Sequence, residues 1–210
     1  MNESKDSEKE YPLVAKARAG DLESFAGLVD LYAKRIYHIV LKLVESPAEA
    51  EDVLQETFLN AFEKLHTFRG ESNFFTWIVQ IAVNAALQRL RKRRKHPTVS
   101  LDELYEDDDH FMPKHIVVWD ENPEKLYSRK ETRRILGDAI SSLAVPYRTV
   151  FLLKDVEKMP MADVAKVLKI SVPAAKSRLI RARLELRESL SRFFRKKGAV
   201  PHRGPHSHDA

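Results

Sequence analysis

The stretch that leaves this chain the fewest ways to fold is 161–179, MADVAKVLKISVPAAKSRL. Val164, Ala165 and Leu168 keep the spacing of one face of a short helix, and Leu179 belongs to a second helix opening after Ser171. Lys169-Ile170-Ser171 between them has room only for a tight turn. Two helices so joined make a helix-turn-helix, with Ala165 at their contact and Val164, Leu168, Ile170 and Leu179 as its apolar lining. The second helix is strongly basic, since residues 166–197 hold eleven Lys+Arg against Glu185 and Glu188. Such a helix enters a major groove N-terminus first, bringing Lys176 and Arg178 to base edges or phosphates. Arg181 and Arg183 lie further along, where they neutralise backbone. A basic helix alone is more often a solvated face of a bundle; the turn in front of this one favours DNA.

The net charge of +5 conceals a division along the chain. Residues 97–125 carry nine acids against two bases and three prolines, with no sustained helical period. They read as a flexible acidic linker between two helical modules, 13–96 and 126–197. The segments 1–12 and 198–210 lack periodicity and are expected to be disordered, the second containing histidines. Within the first module, Glu45 to Glu71 holds seven acids, whereas 72–101 holds none and contains Arg89 and the run Arg91–Lys95. One module thus has an acidic helix and a basic helix, a pattern that suits two partners of opposite charge.

Helical spacing places the elements. Asp21 caps a helix carrying Leu22, Phe25, Leu28, Val29, Tyr32, Ile36, Ile39, Val40 and Leu43. Ser46-Pro47-Ala48-Glu49 is a capping box opening the next, with Ala50, Val53, Leu54, Thr57, Phe58, Ala61, Phe62 and Leu65 inward. Asp52, Gln55, Glu56 and Glu63 fall outside that stripe. A third helix follows the FRGESN turn with Phe74, Ile78, Ile81, Ala82 and Ala85 inward. The second module opens at Asn122-Pro123 with a helix to about Ser142, then helices near 147–157, 161–168 and 172–197. The fold class is all-α: an N-terminal three- to four-helix bundle and a C-terminal four-helix domain with the helix-turn-helix.

Phe68, Phe74, Phe75 and Trp77 stand beside the basic run, and aromatic faces near cations are what single-stranded nucleic acid stacks on. Aromatics at helical spacing are more often core, and at least Phe75 or Ile78 is expected there. Other chemistry is thin. The absence of cysteine excludes disulfides, thiol catalysis and Cys-ligated zinc. Glu63 and His66 form only half of a di-iron signature, and His202, His206 and His208 in the tail make at most an incidental metal site, so no cofactor or metal is expected. The charged opening MNESKDSEKE has no secretory core, and 75–87, interrupted by Thr76, Gln80 and Asn84, is too short to span a bilayer. A cytoplasmic protein without membrane insertion is the expectation.

These residues together resemble bacterial RNA polymerase sigma factors of the extracytoplasmic-function (ECF) class. The match runs through Ala50-Glu51-Asp52-Val53-Leu54-Gln55-Glu56-Thr57-Phe58, Phe68-Arg69-Gly70-Glu71-Ser72, Thr76-Trp77-Ile78 and Asn84 with Arg89–Arg94. It resumes over 168–184 with Lys176-Ser177-Arg178-Leu179 and Arg181-Ala182-Arg183. The resemblance implies a promoter-specificity subunit, not an enzyme, taking part in transcription initiation and stress response. It implies core RNA polymerase, promoter DNA and an anti-sigma factor as partners. It assigns Asp52, Gln55 and Glu56 to core polymerase. It assigns Phe68, Arg69, Ser72, Asn73, Phe74, Trp77, Asn84, Arg89 and Arg93 to the −10 element, whose non-template strand is captured unpaired. Ser171, Pro173, Ala174, Lys176, Ser177, Arg178, Arg181 and Arg183 then meet the −35 duplex, and the acidic linker threads the polymerase channels that RNA later occupies.

Four positions depart from the pattern: Lys169 for a common glycine, Ala175 for a larger aliphatic, Gln88 for an aspartate and Pro160 for a serine cap. Two rival functions remain in view. One is a stand-alone helix-turn-helix regulator whose N-terminal bundle senses a ligand or dimerises. The other is a helical metalloenzyme using Glu63, His66 and the tail histidines.

Overall fold

The Asp21 carboxylate accepts the Ser24 amide at 3.1 Å and also the Ser24 hydroxyl, capping the helix that organises the N-terminal half. These bonds, the hydroxyl foremost, hold the Asp21 carboxyl below the usual carboxylate range. The computed structural model describes residues 3–70, 72–93 and 129–198. Among them lie eight α-helices and no strand, so the all-α expectation holds. The order is α1 (Glu3–Arg18), α2 (Leu22–Val44), α3 (Pro47–Lys64), α4 (Phe74–Arg93), α5 (Arg129–Ser142), α6 (Val145–Phe151), α7 (Met161–Leu168) and α8 (Val172–Gly198). A 3-10 turn, Leu65–Thr67, extends α3, and a π-helical turn, Leu152–Val156, extends α6.

The N-terminal bundle closes around α2. Leu28, Tyr32, Ile36, Ile39, Val40 and Leu43 are buried on it, meeting Ala50, Val53, Thr57 and Ala61 of α3 and Phe74, Ile78, Val79, Ala82 and Val83 of α4. The Ser46 hydroxyl accepts the Glu49 amide at 3.4 Å, as the capping box predicts. Buried Thr57 is satisfied by donating to the Val53 carbonyl at 2.6 Å.

The expectation of disorder over 1–12 fails from Glu3 onward, where the chain is helical. Pro12 sits inside α1, an insertion that costs about 3 kcal/mol in a helix standing alone. Tertiary contacts outweigh that cost: Val14 and Ala17 are buried, and Leu13 lies against Gly27 of α2. No sustained apolar stripe announces α1, and the buried side chains described on it, Val14 and Ala17, lie in its last turns.

In the C-terminal half, Ile135, Ala139 and Ile140 of α5, Val150 of α6 and Leu153 of the π-helical turn enclose the helix-turn-helix. The two halves share one apolar core, with α7 packed on α4. Polar contacts cross the same seam. Arg35 Nε meets Glu157 Oε2 at 3.2 Å, and Arg148 Nη1 donates to the Lys42 carbonyl at 3.2 Å while pairing with Glu45. Gln80 Nε2 donates to the Lys166 carbonyl at 3.3 Å. The acidic linker, the Asn122-Pro123 opening, Arg94, Glu71 and the tail from 199 lie outside the described residues.

Candidate functional site

The acidic row is carried by the face of α3 opposite its buried stripe. Asp52 and Gln55 are exposed and Glu56 is half-buried. Arg89 reaches this row from α4, with Nη1 at 2.9 Å from Asp52 Oδ2 and Nη2 at 3.6 Å from Glu56 Oε2. One turn on, Arg93 lies 3.5 Å from Glu49 and donates to the Val44 carbonyl at 3.3 Å. Hydrogen bonding to Asp52 holds Arg89 more firmly protonated than an isolated arginine. The acidic and the basic helix thus lie side by side, and along their shared edge the two neutralise each other. Phe62, expected inward, is 43% exposed, its ring edge-on to Phe25 at 5.0 Å, and Leu59 beside it is 66% exposed. The row thus ends in apolar surface.

The aromatic segment is mostly core. Phe68 and Phe74 are buried, which corrects their placement as faces offered to a DNA strand. The physical reason is that Phe74 opens α4, which is covered by α2, α3 and α7, and Phe68 packs edge-on against Phe74 at 5.8 Å. Phe75 and Ile78 are buried, as expected for core positions. Trp77 is the half-buried member, its ring 5.3 Å from Phe68 and 5.5 Å from Phe74. Around it Arg69 and Asn73 are exposed and Ser72 and Asn84 half-buried. Gly70 takes a φ of +73°, a left-handed turn that a side chain would strain. Asn73 Oδ1 accepts the Thr76 amide at 2.7 Å and so caps α4.

Two contributors to this segment escaped the sequence. Glu10 of α1 accepts the Phe74 amide at 2.8 Å and the Tyr32 hydroxyl. Arg35 of α2 stacks its guanidinium 3.8 Å from the Phe75 ring centre. The signal for the first was the absence of any acid in the opening turn of α4, which leaves a positive helix end to be met from elsewhere.

The helix-turn-helix forms where expected. Val164, Ala165, Leu168, Ala175, Leu179 and Ala182 are buried between α7 and α8 and their neighbours, with Ile170 partly covered. Lys169 adopts φ +54° at the C-terminus of α7, the left-handed position that glycine commonly fills, and the Ile170 amide returns to the Ala165 carbonyl at 3.1 Å. The Pro160 carbonyl opens α7 without a side-chain cap, accepting the Asp163 and Val164 amides at 3.0 Å. The Ser171 hydroxyl accepts the Ala174 amide at 3.2 Å and caps α8. Ser171, Pro173, Lys176 and Arg183 are exposed, and Ala174, Ser177, Arg178 and Arg181 half-buried. Arg183 grips Asp155 through two bonds of 2.8 and 2.7 Å, and Arg181 donates to the Tyr147 hydroxyl at 3.2 Å. The Arg183 hydrogen bonds hold the Asp155 carboxyl below the usual range. Two arginines expected on DNA backbone thus also brace their own domain.

Among the described residues no helix is long and apolar enough to cross a membrane. Nor, among them, do three or more His, Asp or Glu gather where a metal could be held. The exposed His66 and Glu63 accordingly form no cluster.

A helical bundle with an acidic row and a basic helix end, followed by a helix-turn-helix with a basic second helix, defines a two-part DNA-binding protein. Comparison with known proteins specifies the class. Sigma-70 region 2 matches residues 28–96, and Sigma-70 region 4 matches residues 133–186. The chain is 33% identical over 188 residues to the RNA polymerase sigma-H factor of Pseudomonas aeruginosa, covering 90% of this chain and 97% of that one. It is 31% identical over 178 residues to the ECF RNA polymerase sigma factor SigW of Bacillus subtilis, covering 84% and 94%. The chain belongs to the sigma-70 family, in its ECF class. Its fold resembles CnrH in complex with the cytosolic domain of CnrY, at TM-score 0.62 and 22% identity over 88% of this chain and 98% of that one. It also resembles the sigma factor RpoE of Bartonella quintana in complex with the anti-sigma factor NepR, at TM-score 0.60 and 23% identity over 81% and 98%.

Proposed function

We propose that this ECF sigma factor binds core RNA polymerase through α3 and carries it to promoters read at two elements. The observation that carries the reading is the helix-turn-helix itself: α8 opens on Ser171, Pro173 and Lys176, all exposed, with no acid in its first turn. That end can enter a major groove without repelling phosphate, and Lys176 extends from it. Arg178, Arg181 and Arg183 follow along the helix toward the flanking backbone.

At the other element, Trp77 offers a half-exposed ring backed by buried Phe68 and Phe74, with Arg69, Ser72 and Asn73 at its rim. A rigid indole platform with polar neighbours suits one unpaired base. Capturing a flipped base offsets an unstacking cost of a few kcal/mol, so strand opening follows from binding and the bond-making chemistry stays with the polymerase. Asn84, Arg89 and Arg93 would follow the duplex upstream. Asp52, Gln55 and Glu56, with Leu59 at the end of their row, would meet a basic, partly apolar surface on core polymerase. An anti-sigma partner is proposed from the two structurally similar proteins, each solved with a bound partner, which for RpoE is the anti-sigma factor NepR. The setting would be cytoplasmic, where polymerase works.

The test is transcription in vitro with purified core polymerase on a genomic fragment library. Reproducible new start sites that depend on this protein are expected. Failure to redirect any initiation overturns the proposal.

A further inference from the structure

We infer that Glu10 is a positioning residue for capture of the −10 strand, which makes α1 part of the recognition unit although it precedes the region 2 match at 28–96. The inference rests on the reading of Trp77 and its rim as the capture site.

The argument starts from the opening of α4. A helix begins with amides that have no partner within it and a partial positive charge, and a carboxylate nearby satisfies both. The first turn of α4 contains no acid of its own. Asn73 meets one amide, that of Thr76. The Phe74 amide, next to a fully buried ring, is met from 64 residues away by Glu10 Oε1 at 2.8 Å. The other oxygen of the same carboxylate takes the hydroxyl of Tyr32, itself 1% exposed. Tyr32 in turn lies 5.9 Å from the Phe74 ring and 5.4 Å from the Phe75 ring. One carboxylate therefore fixes both the backbone start of α4 and the aromatic floor beneath Phe74, whose ring supports Trp77 at 5.5 Å. Glu10 touches no base in this arrangement; it acts by setting where Trp77, Asn73 and Ser72 stand.

The experiment compares full-length wild type, Glu10→Ala, Glu10→Gln and Trp77→Ala, each assembled with core polymerase on one promoter found in the library. Four quantities are read: core affinity, binding of a duplex −35 fragment, binding of the single-stranded non-template −10 oligonucleotide, and permanganate reactivity of unpaired thymines. Glu10→Ala is expected to weaken oligonucleotide binding and thymine reactivity about tenfold, the ratio for losing a hydrogen bond to a charged group. Core affinity and −35 binding should stay within about twofold. Glutamine keeps an acceptor for the Phe74 amide, so Glu10→Gln should recover most of the loss. A parallel fall in core affinity, or no recovery with glutamine, would make Glu10 merely structural and overturn the inference. Normal capture by Glu10→Ala while Trp77→Ala loses it overturns the inference and leaves the site standing. Normal capture by Trp77→Ala removes the site, and the inference with it.

Discussion

Arg89 of α4 donates to Asp52 of α3 at 2.9 Å and stands 3.6 Å from Glu56, so the basic helix end shields the acidic row that follows the α3 surface. Arg89 and Asp52 keep 33% and 61% of their side-chain exposure, so solvent and salt screen the pair. A double-mutant cycle over Asp52→Ala and Arg89→Ala is expected to give a coupling below about 1 kcal/mol, vanishing in high salt. A larger, salt-resistant coupling would make the pair a structural lock. Separately, Glu56→Lys should weaken core binding by placing a cation both beside Arg89 and toward the polymerase. Unchanged core affinity would remove α3 from the docking surface.

Arg148 is 6% exposed in α6, yet its partners, the Lys42 carbonyl and Glu45, belong to the C-terminal end of α2 and the residue after it. Its Nε has no protein partner among the described residues, so the guanidinium is held by this seam alone on its Nη1 side. Arg148→Ala should lower stability by about 1–3 kcal/mol and separate the melting of the two halves. A single unshifted transition in calorimetry would mean that the seam carries no stability.

Asp155 and Arg183 give the C-terminal half a pH dependence. The folded carboxyl of Asp155 is held below its ordinary value, chiefly by the Arg183 hydrogen bonds. The unfolded chain therefore binds the proton more readily, and the pair contributes fully above the free aspartate pKa of about 3.9. That contribution is lost as pH falls below it. Asp155→Asn should flatten this part of the stability profile and change little at pH 7, by about 1 kcal/mol or less. Identical acid profiles for wild type and variant would exclude the pair as the source.

Lys169 holds a φ of +54° in the turn of the helix-turn-helix, a conformation that glycine takes without a Cβ penalty. Lys169→Gly should stabilise the domain by about 0.5–1 kcal/mol, visible as a higher melting temperature. A fall instead would show that the lysine side chain contributes more than the backbone strain costs.

How far the sequence carried can be judged at particular residues. The caps at Asp21 and Ser46, the tight turn at Lys169 and the inward row Val164, Ala165, Leu168 and Leu179 follow from neighbours within a few positions. Local rules of capping and periodicity suffice for these, so the helical class, the helix-turn-helix and the family motifs were legible. Phe68 and Phe74 were not, because helical spacing says which residues share a face and is silent on what covers it. The same gap left Phe62 exposed where burial was expected.

Some matters only the tertiary structure decided, each depending on groups distant in sequence. These include α1 helical from Glu3, Glu10 at the start of α4, Arg89 across the acidic row and Arg148 over the seam. A charge pattern fixes how many cations and anions a chain carries, and packing fixes which of them meet. By itself the sequence determined seven of the eight helices and the helix-turn-helix with its basic second helix. The fold decided that the acidic and basic helices are neighbours, because α3 and α4 must bury their apolar faces together and that burial carries Asp52 to Arg89.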